Sequence, residues 1–147
     1  MNANARAETQ SIFLEYDLPH PPAKVWRALT ESELVAKWIM ANDLKPQVGH
    51  AFTFRFGSEP TPMWDGIVHS EILESDPPKR LSYTWKSGPA PLDTVVTWTL
   101  TPTPSGGTKL ALEQSGFVPA NKFAFDGASQ GWQYMLGSRL PEVLAAL

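Results

Sequence analysis

The chain has no cysteine, so it has no disulfide framework, no thiolate nucleophile and no thiolate metal ligand. It has no run approaching the roughly 18 apolar residues of a membrane-spanning helix. Charge of either sign is scarcely in excess. A net charge of −3 offers no electrostatic reason to bind nucleic acid or an anionic membrane. Met1 to Gln10 is polar, without the apolar region of a signal peptide, and a cytoplasmic location is the expectation. Neither a Gly-rich phosphate loop nor a Gly-x-Ser-x-Gly elbow occurs. The three histidines, His20, His50 and His69, lack the i, i+4 or short-loop spacing of a metal site. No metal or other cofactor is expected.

What remains is an ordinary globular balance, 42% apolar and 18% charged over 147 residues. That length suits one domain with its own core, so residues 1–147 are expected to form a single unit with a flexible first ten. Six Trp and seven Phe are the unusual feature. Rings bury much area each, which implies a heavy core or an aromatic-lined cavity.

Apolar residues alternate along most of the chain, the signature of half-buried strands. Ile12, Leu14, Tyr16 and Leu18 form the first such row, ended by Pro19, Pro21 and Pro22. Proline is suited to the first turn of a helix, and Val25, Trp26 and Leu29 form the buried side of the one that follows. Thr30 and Glu33 have capping-box spacing for a second short helix with Leu34, Val35 and Trp38 inward. From Val48 the period becomes two. Phe52, Phe54 and Phe56 share a face, and Gly57 to Met63 reads as a turn or flap. A strand around Trp64 to Glu74 places Gly66, Val68, Ser70 and Ile72 together, leaving Asp65 and Glu71 outward. Further inward rows are Leu81, Tyr83 and Trp85, then Val96, Trp98 and Leu100, then Leu110, Leu112 and Gln114. Strand spacing this regular describes a meander of hairpins.

The last stretch changes period again. Trp132, Leu136, Leu140, Val143 and Leu147 recur at helical steps from Gly131 onward, with Tyr134, Ser138 and Glu142 opposite. A lone amphipathic helix after many strands buries its stripe against the sheet. Pro141 sits within the stripe, lacking a donor and crowding the carbonyl of Gly137, so a kink or brief interruption is expected there. With Leu136 as the stripe's centre, Trp132 falls about 40° to one side, Arg139 about 60° and Met135 about 100°. Arg139 thus starts at the edge of the buried face. Its guanidinium either snorkels to water or holds a ligand oxygen with its planar fork.

The order is therefore strand, two short helices, about six more strands and a long helix, an α+β architecture. Pro22-Ala-Lys-Val-Trp-Arg-Ala-Leu-Thr30, Arg80-Leu-Ser-Tyr-Thr-Trp85, Val96-Thr-Trp-Thr-Leu-Thr-Pro102, Gly106-Gly-Thr-Lys-Leu110, Ser115-Gly-Phe117 and Gly131-Trp132 carry a family resemblance. Together they resemble the START-like helix-grip superfamily, which spans polyketide cyclases and lipid-transport proteins. The likeness covers Ile12 to Leu147 and is greatest to bacterial homologues of the C-terminal domain of the activator of the heat-shock-protein 90 ATPase. It implies an antiparallel sheet of six or seven strands wrapped around the long helix, with a cavity between them for an apolar or amphipathic small molecule. The co-chaperone's additional N-terminal domain has no counterpart here, so a chaperone partner is not expected. Where many relatives carry His in the final strand, this chain has Gln114, which weakens any proton-transfer role there.

On the implied cavity the inward rows become candidates: Phe54, Phe56, Val68, Ser70, Tyr83, Trp85, Trp98, Leu112, Gln114, Trp132, Met135, Leu136 and Arg139. The aromatic members either line the cavity or pack a plain core. Tyr83 and Gln114 either orient a ligand's oxygen or satisfy one another or a buried water. Three functions stay open. The first is binding of a small hydrophobic ligand. The second is a cyclase, dehydratase or hydrolase acting through Tyr83, His50 or Gln114. The third is a chaperone-regulating module. The choice between monomer and homodimer is left open by the composition.

Overall fold

A computed structural model describes residues 9–56, 66–88 and 91–147 of the chain. The expected turn at Gly57–Met63, the Trp64–Asp65 start of the next strand and residues 1–8 lie outside the described residues. Gln10, expected to be flexible, begins the first strand.

The elements are β1 (Gln10–Leu18), α1 (Pro22–Thr30), α2 (Ser32–Trp38), β2 (Ala41–Asn42), β3 (Ala51–Arg55), β4 (Ile67–Asp76), β5 (Arg80–Ser87), β6 (Leu92–Pro102) and β7 (Thr108–Phe117). A helical run follows: a 3-10 turn at Pro119–Asn121, α3 (Lys122–Tyr134), a π-helical turn at Met135–Arg139, and α4 (Leu140–Ala145). The strands make one sheet in the order β1-β7-β6-β5-β4-β3-β2. Every neighbouring pair is antiparallel. It is a meander, except that β1 lies beside the last strand. The helical run crosses the concave face. This is the helix-grip arrangement, with two short helices after the first strand.

Alternation decides what each strand buries. Trp98 stands opposite Leu81 on one side and Leu112 on the other, so each buried row continues across the sheet. The rings meet edge to face, which suits their quadrupoles. Trp38 lies 5.6 Å from Trp98, Trp98 5.4 Å from Trp132, and Phe52 5.4 Å from Tyr83. Gly116 of the Ser-Gly-Phe stretch has a positive φ of 106°, and a Cβ there would stand 3.0 Å from the Asp93 carbonyl oxygen. The β1–β7 register shifts at that point, and the bulge favours glycine.

Three local expectations are corrected. Thr30 does not open α2. It closes α1, and its hydroxyl donates back to the Trp26 carbonyl at 2.8 Å, an i−4 bond that competes with capping. Glu31 occupies the N-cap position, without a side-chain bond. Leu147 is 39% exposed while Leu144 is fully buried, because α4 ends at Ala145 and the stripe with it. The helix also begins at Lys122, nine residues earlier than Gly131.

Pro141 resolves as a change of helical register. With no N–H at Pro141, the Gly137 carbonyl loses its ordinary i+4 donor. At the residue just before it, the Leu140 N–H reaches the Met135 carbonyl, five residues back. The wide turn absorbs the mismatch, and Trp132, Leu136, Leu140 and Val143 all stay buried.

Candidate functional site

The N-terminal half of the helical run does not close fully on the sheet. Its inward side offers Ala124, Gly127, Ala128 and Gly131 before reaching Trp132 and Met135. Side chains this small leave a gap, a cavity of about 350 Å3, near the lower end of ligand-site volumes. Facing the helix are Val68 of β4, Trp85 of β5, Pro91 and Leu92 at the head of β6, and Met40 after α2. Phe123, 80% exposed, also lines it and marks its open end. None of the described lining residues is titratable.

Four of the thirteen expected residues are on this wall: Val68, Trp85, Trp132 and Met135. Phe54, Ser70, Tyr83, Trp98, Leu112, Gln114 and Leu136 are buried in the core but off the wall. Phe54 packs directly behind Trp85, ring centres 5.0 Å apart.

Phe56 and Arg139 are corrections. The β3–β4 ladder ends at Arg55 opposite Ile67, so alternation stops one residue short and Phe56 is 51% exposed. Arg139 is exposed and directed away from the cavity. Its Nη2 donates to the Lys37 carbonyl at 3.0 Å, satisfying an oxygen in the last turn of α2 with a cation suited to that helix end.

The inward polar groups bond to one another. Trp98 Nε1–H donates to the Tyr83 hydroxyl at 2.9 Å. Trp132 Nε1–H donates to Gln114 Oε1 at 2.8 Å. Gln114 Nε2–H donates to Thr94 Oγ1 at 3.0 Å, and Thr94 donates to the Trp85 carbonyl at 2.8 Å. This chain ties the cavity's two indoles, whose ring centres are 5.4 Å apart, to adjacent strands. Burial raises the Tyr83 pKa well above its ordinary 10, with the Trp98 bond opposing. Tyr83 therefore stays protonated and supplies no base. His50, expected near the cavity mouth, stacks on Phe52 with its Nε2 3.0 Å from the Asp43 carbonyl. It is not on the wall. Among the described residues no group of three or more potential metal ligands forms, and no helix is long and apolar enough to cross a membrane.

Sequence reasoning missed Met40, Pro91, Leu92 and the wall from Ala120 to Gly131. A signal existed: Ala120, Ala124, Gly127 or Ala128, and Gly131 fall at steps of three and four. They form a helix face of small residues, without the bulky apolar stripe that marks a gripped helix.

A sheet curled over a long helix, with an apolar cavity between them, defines the helix-grip class. Residues 19–145 match the family described as Activator of Hsp90 ATPase homolog 1-like protein. The chain belongs to that family. It is 42% identical to protein MLL2253 of Mesorhizobium loti, covering 93% of this chain and 98% of that one with a TM-score of 0.82. Protein BH1534 of Bacillus halodurans is 26% identical over 92% of this chain and 96% of its own, TM-score 0.72. CalU16 of Micromonospora echinospora, at 22% identity, covers 92% and 76% with a TM-score of 0.75 and shares the fold. No curated protein matches the chain.

Proposed function

We propose that this protein binds a small, uncharged, mainly apolar molecule in the cavity between α3 and the sheet. The observation that carries the reading is the cavity's lining. About 350 Å3 is walled by indole, aliphatic and glycine surfaces, where an apolar ligand gains burial and a charge would lose its hydration without compensation. Family membership supports a ligand-binding or cyclase-type role. General acid–base chemistry needs a proton-transfer group within hydrogen-bond reach of the substrate, and the described lining provides none. Tyr83, His50 and Gln114, the groups considered for such a role, lie off the wall.

Gly127 provides the test. A Cβ at this position meets nothing within 4 Å and Gly127 borders the cavity, so Gly127→Leu adds apolar bulk at its wall. Replacing an interior helical glycine also favours the helix by up to about 1 kcal/mol. The variant should melt no lower than the parent and bind the neutral dye N-phenyl-1-naphthylamine at least tenfold more weakly, read by fluorescence titration. Undiminished dye binding would overturn the assignment.

A further inference from the structure

Trp38, Trp85, Trp98 and Trp132 are all buried. Three of their indole donors are engaged: Trp38 with the Ala28 carbonyl at 2.8 Å, Trp98 with Tyr83, and Trp132 with Gln114. Trp85 differs. Its ring is a wall of the cavity and only 8% exposed, yet its Nε1–H has no acceptor among the described residues. Nor is that nitrogen sealed off. The only fully enclosed side-chain polar atom without a partner among the described residues is Ser70 Oγ. The ring that carries this donor borders the cavity.

We propose that Trp85 is the specificity-determining residue of the cavity. Its indole N–H selects, among neutral apolar molecules that fit, those carrying a hydrogen-bond acceptor such as a carbonyl or ether oxygen. This deepens the binding reading above and rests on it. The donor is held in advance. Phe54 and Trp132 flank the ring at 5.0 and 5.4 Å, and the Trp85 carbonyl is bonded to Thr94, which Gln114 links to Trp132. A fixed donor loses little freedom on binding. Asn121, the other polar residue of the described wall, is already tied, accepting from the Val118 N–H and donating to the Pro91 carbonyl. No cation stands on the described wall to offset a carboxylate, so the acceptor selected is neutral.

The test uses 9-fluorenone and fluorene, one tricyclic frame with and without a carbonyl. The parent protein should bind fluorenone about tenfold more tightly, which corresponds to about 1.4 kcal/mol, the scale of one net hydrogen bond. Trp85→Phe removes the donor and keeps a ring, so the two affinities should converge while fluorene is still bound. A readout independent of folding in the variant is the indole 1H–15N spectrum of the parent. Fluorenone should move the Trp85 Nε1–H resonance downfield, and fluorene should not. Equal binding of both probes, or a preference that persists in Trp85→Phe, overturns the role of Trp85 alone. If neither probe binds the parent, and Gly127→Leu leaves dye binding intact, the cavity reading itself fails.

Discussion

Replacing Gln114 by Met keeps the length of the side chain and removes its amide. Gln114 is fully buried and joins two elements, accepting from Trp132 on the helix and donating to Thr94 on β6. Thr94 still has the Trp85 carbonyl as a partner for its hydroxyl, so its loss is small. The Trp132 indole has one donor, is 1% exposed and has no acceptor besides Gln114 among the described residues. A buried donor left unpaired costs about 1–3 kcal/mol. For a chain of this size each kcal/mol lowers Tm by roughly 2–4 °C, so a fall of about 2–12 °C is expected. Met is more apolar than Gln and offsets part of this, which makes the single variant ambiguous. A double-mutant cycle removes the ambiguity. In a Trp132→Phe background the donor is already gone, and Gln114→Met should cost at least about 1 kcal/mol less than in the parent. Denaturant unfolding of the four proteins measures that coupling. Independent sites add to within about 0.5 kcal/mol, and a coupling that small would refute the claim that Gln114 fastens the helix to the sheet.

Two further outcomes follow from groups the cavity does not use. Tyr83 has its folded-state pKa raised above 10, so its stabilising contribution is present below that pH and is lost as pH rises toward the folded value. Tm should fall in alkaline solution, and Tyr83→Phe should flatten that fall, as followed by thermal melts from pH 8 to pH 11. An unchanged slope in the variant would count against the assignment. Arg139→Met should leave N-phenyl-1-naphthylamine affinity as it is and lower stability by only about 0.3–1 kcal/mol, the scale of a cation at a helix C-terminus. A selective loss of dye binding would return Arg139 to the cavity.

Periodicity made most of the fold legible. Steps of two from Phe52 to Gln114 and of three or four from Trp132 to Val143 depend only on which neighbours share a face, and that is local information. The same reasoning failed where a local rule met a boundary. Phe56 lies one residue past the last β3–β4 pair, and Thr30 could cap one helix or finish another. Only the shape of the whole site shows why Ala124, Gly127, Ala128 and Gly131 matter. Small residues leave no apolar stripe in the sequence, and a cavity exists only once a sheet faces them. Donor pairing was equally hidden. Trp85, Trp98 and Trp132 are alike as sequence, and each is an inward indole. Distance to Tyr83 or Gln114, residues brought close only by strand pairing and by the helix crossing the sheet, decides which donors are satisfied. Sequence thus determined which side chains turn inward, because that follows from backbone geometry within one element. Tertiary structure alone decided where the interior stays empty and which donors find a partner, because both depend on contacts between elements.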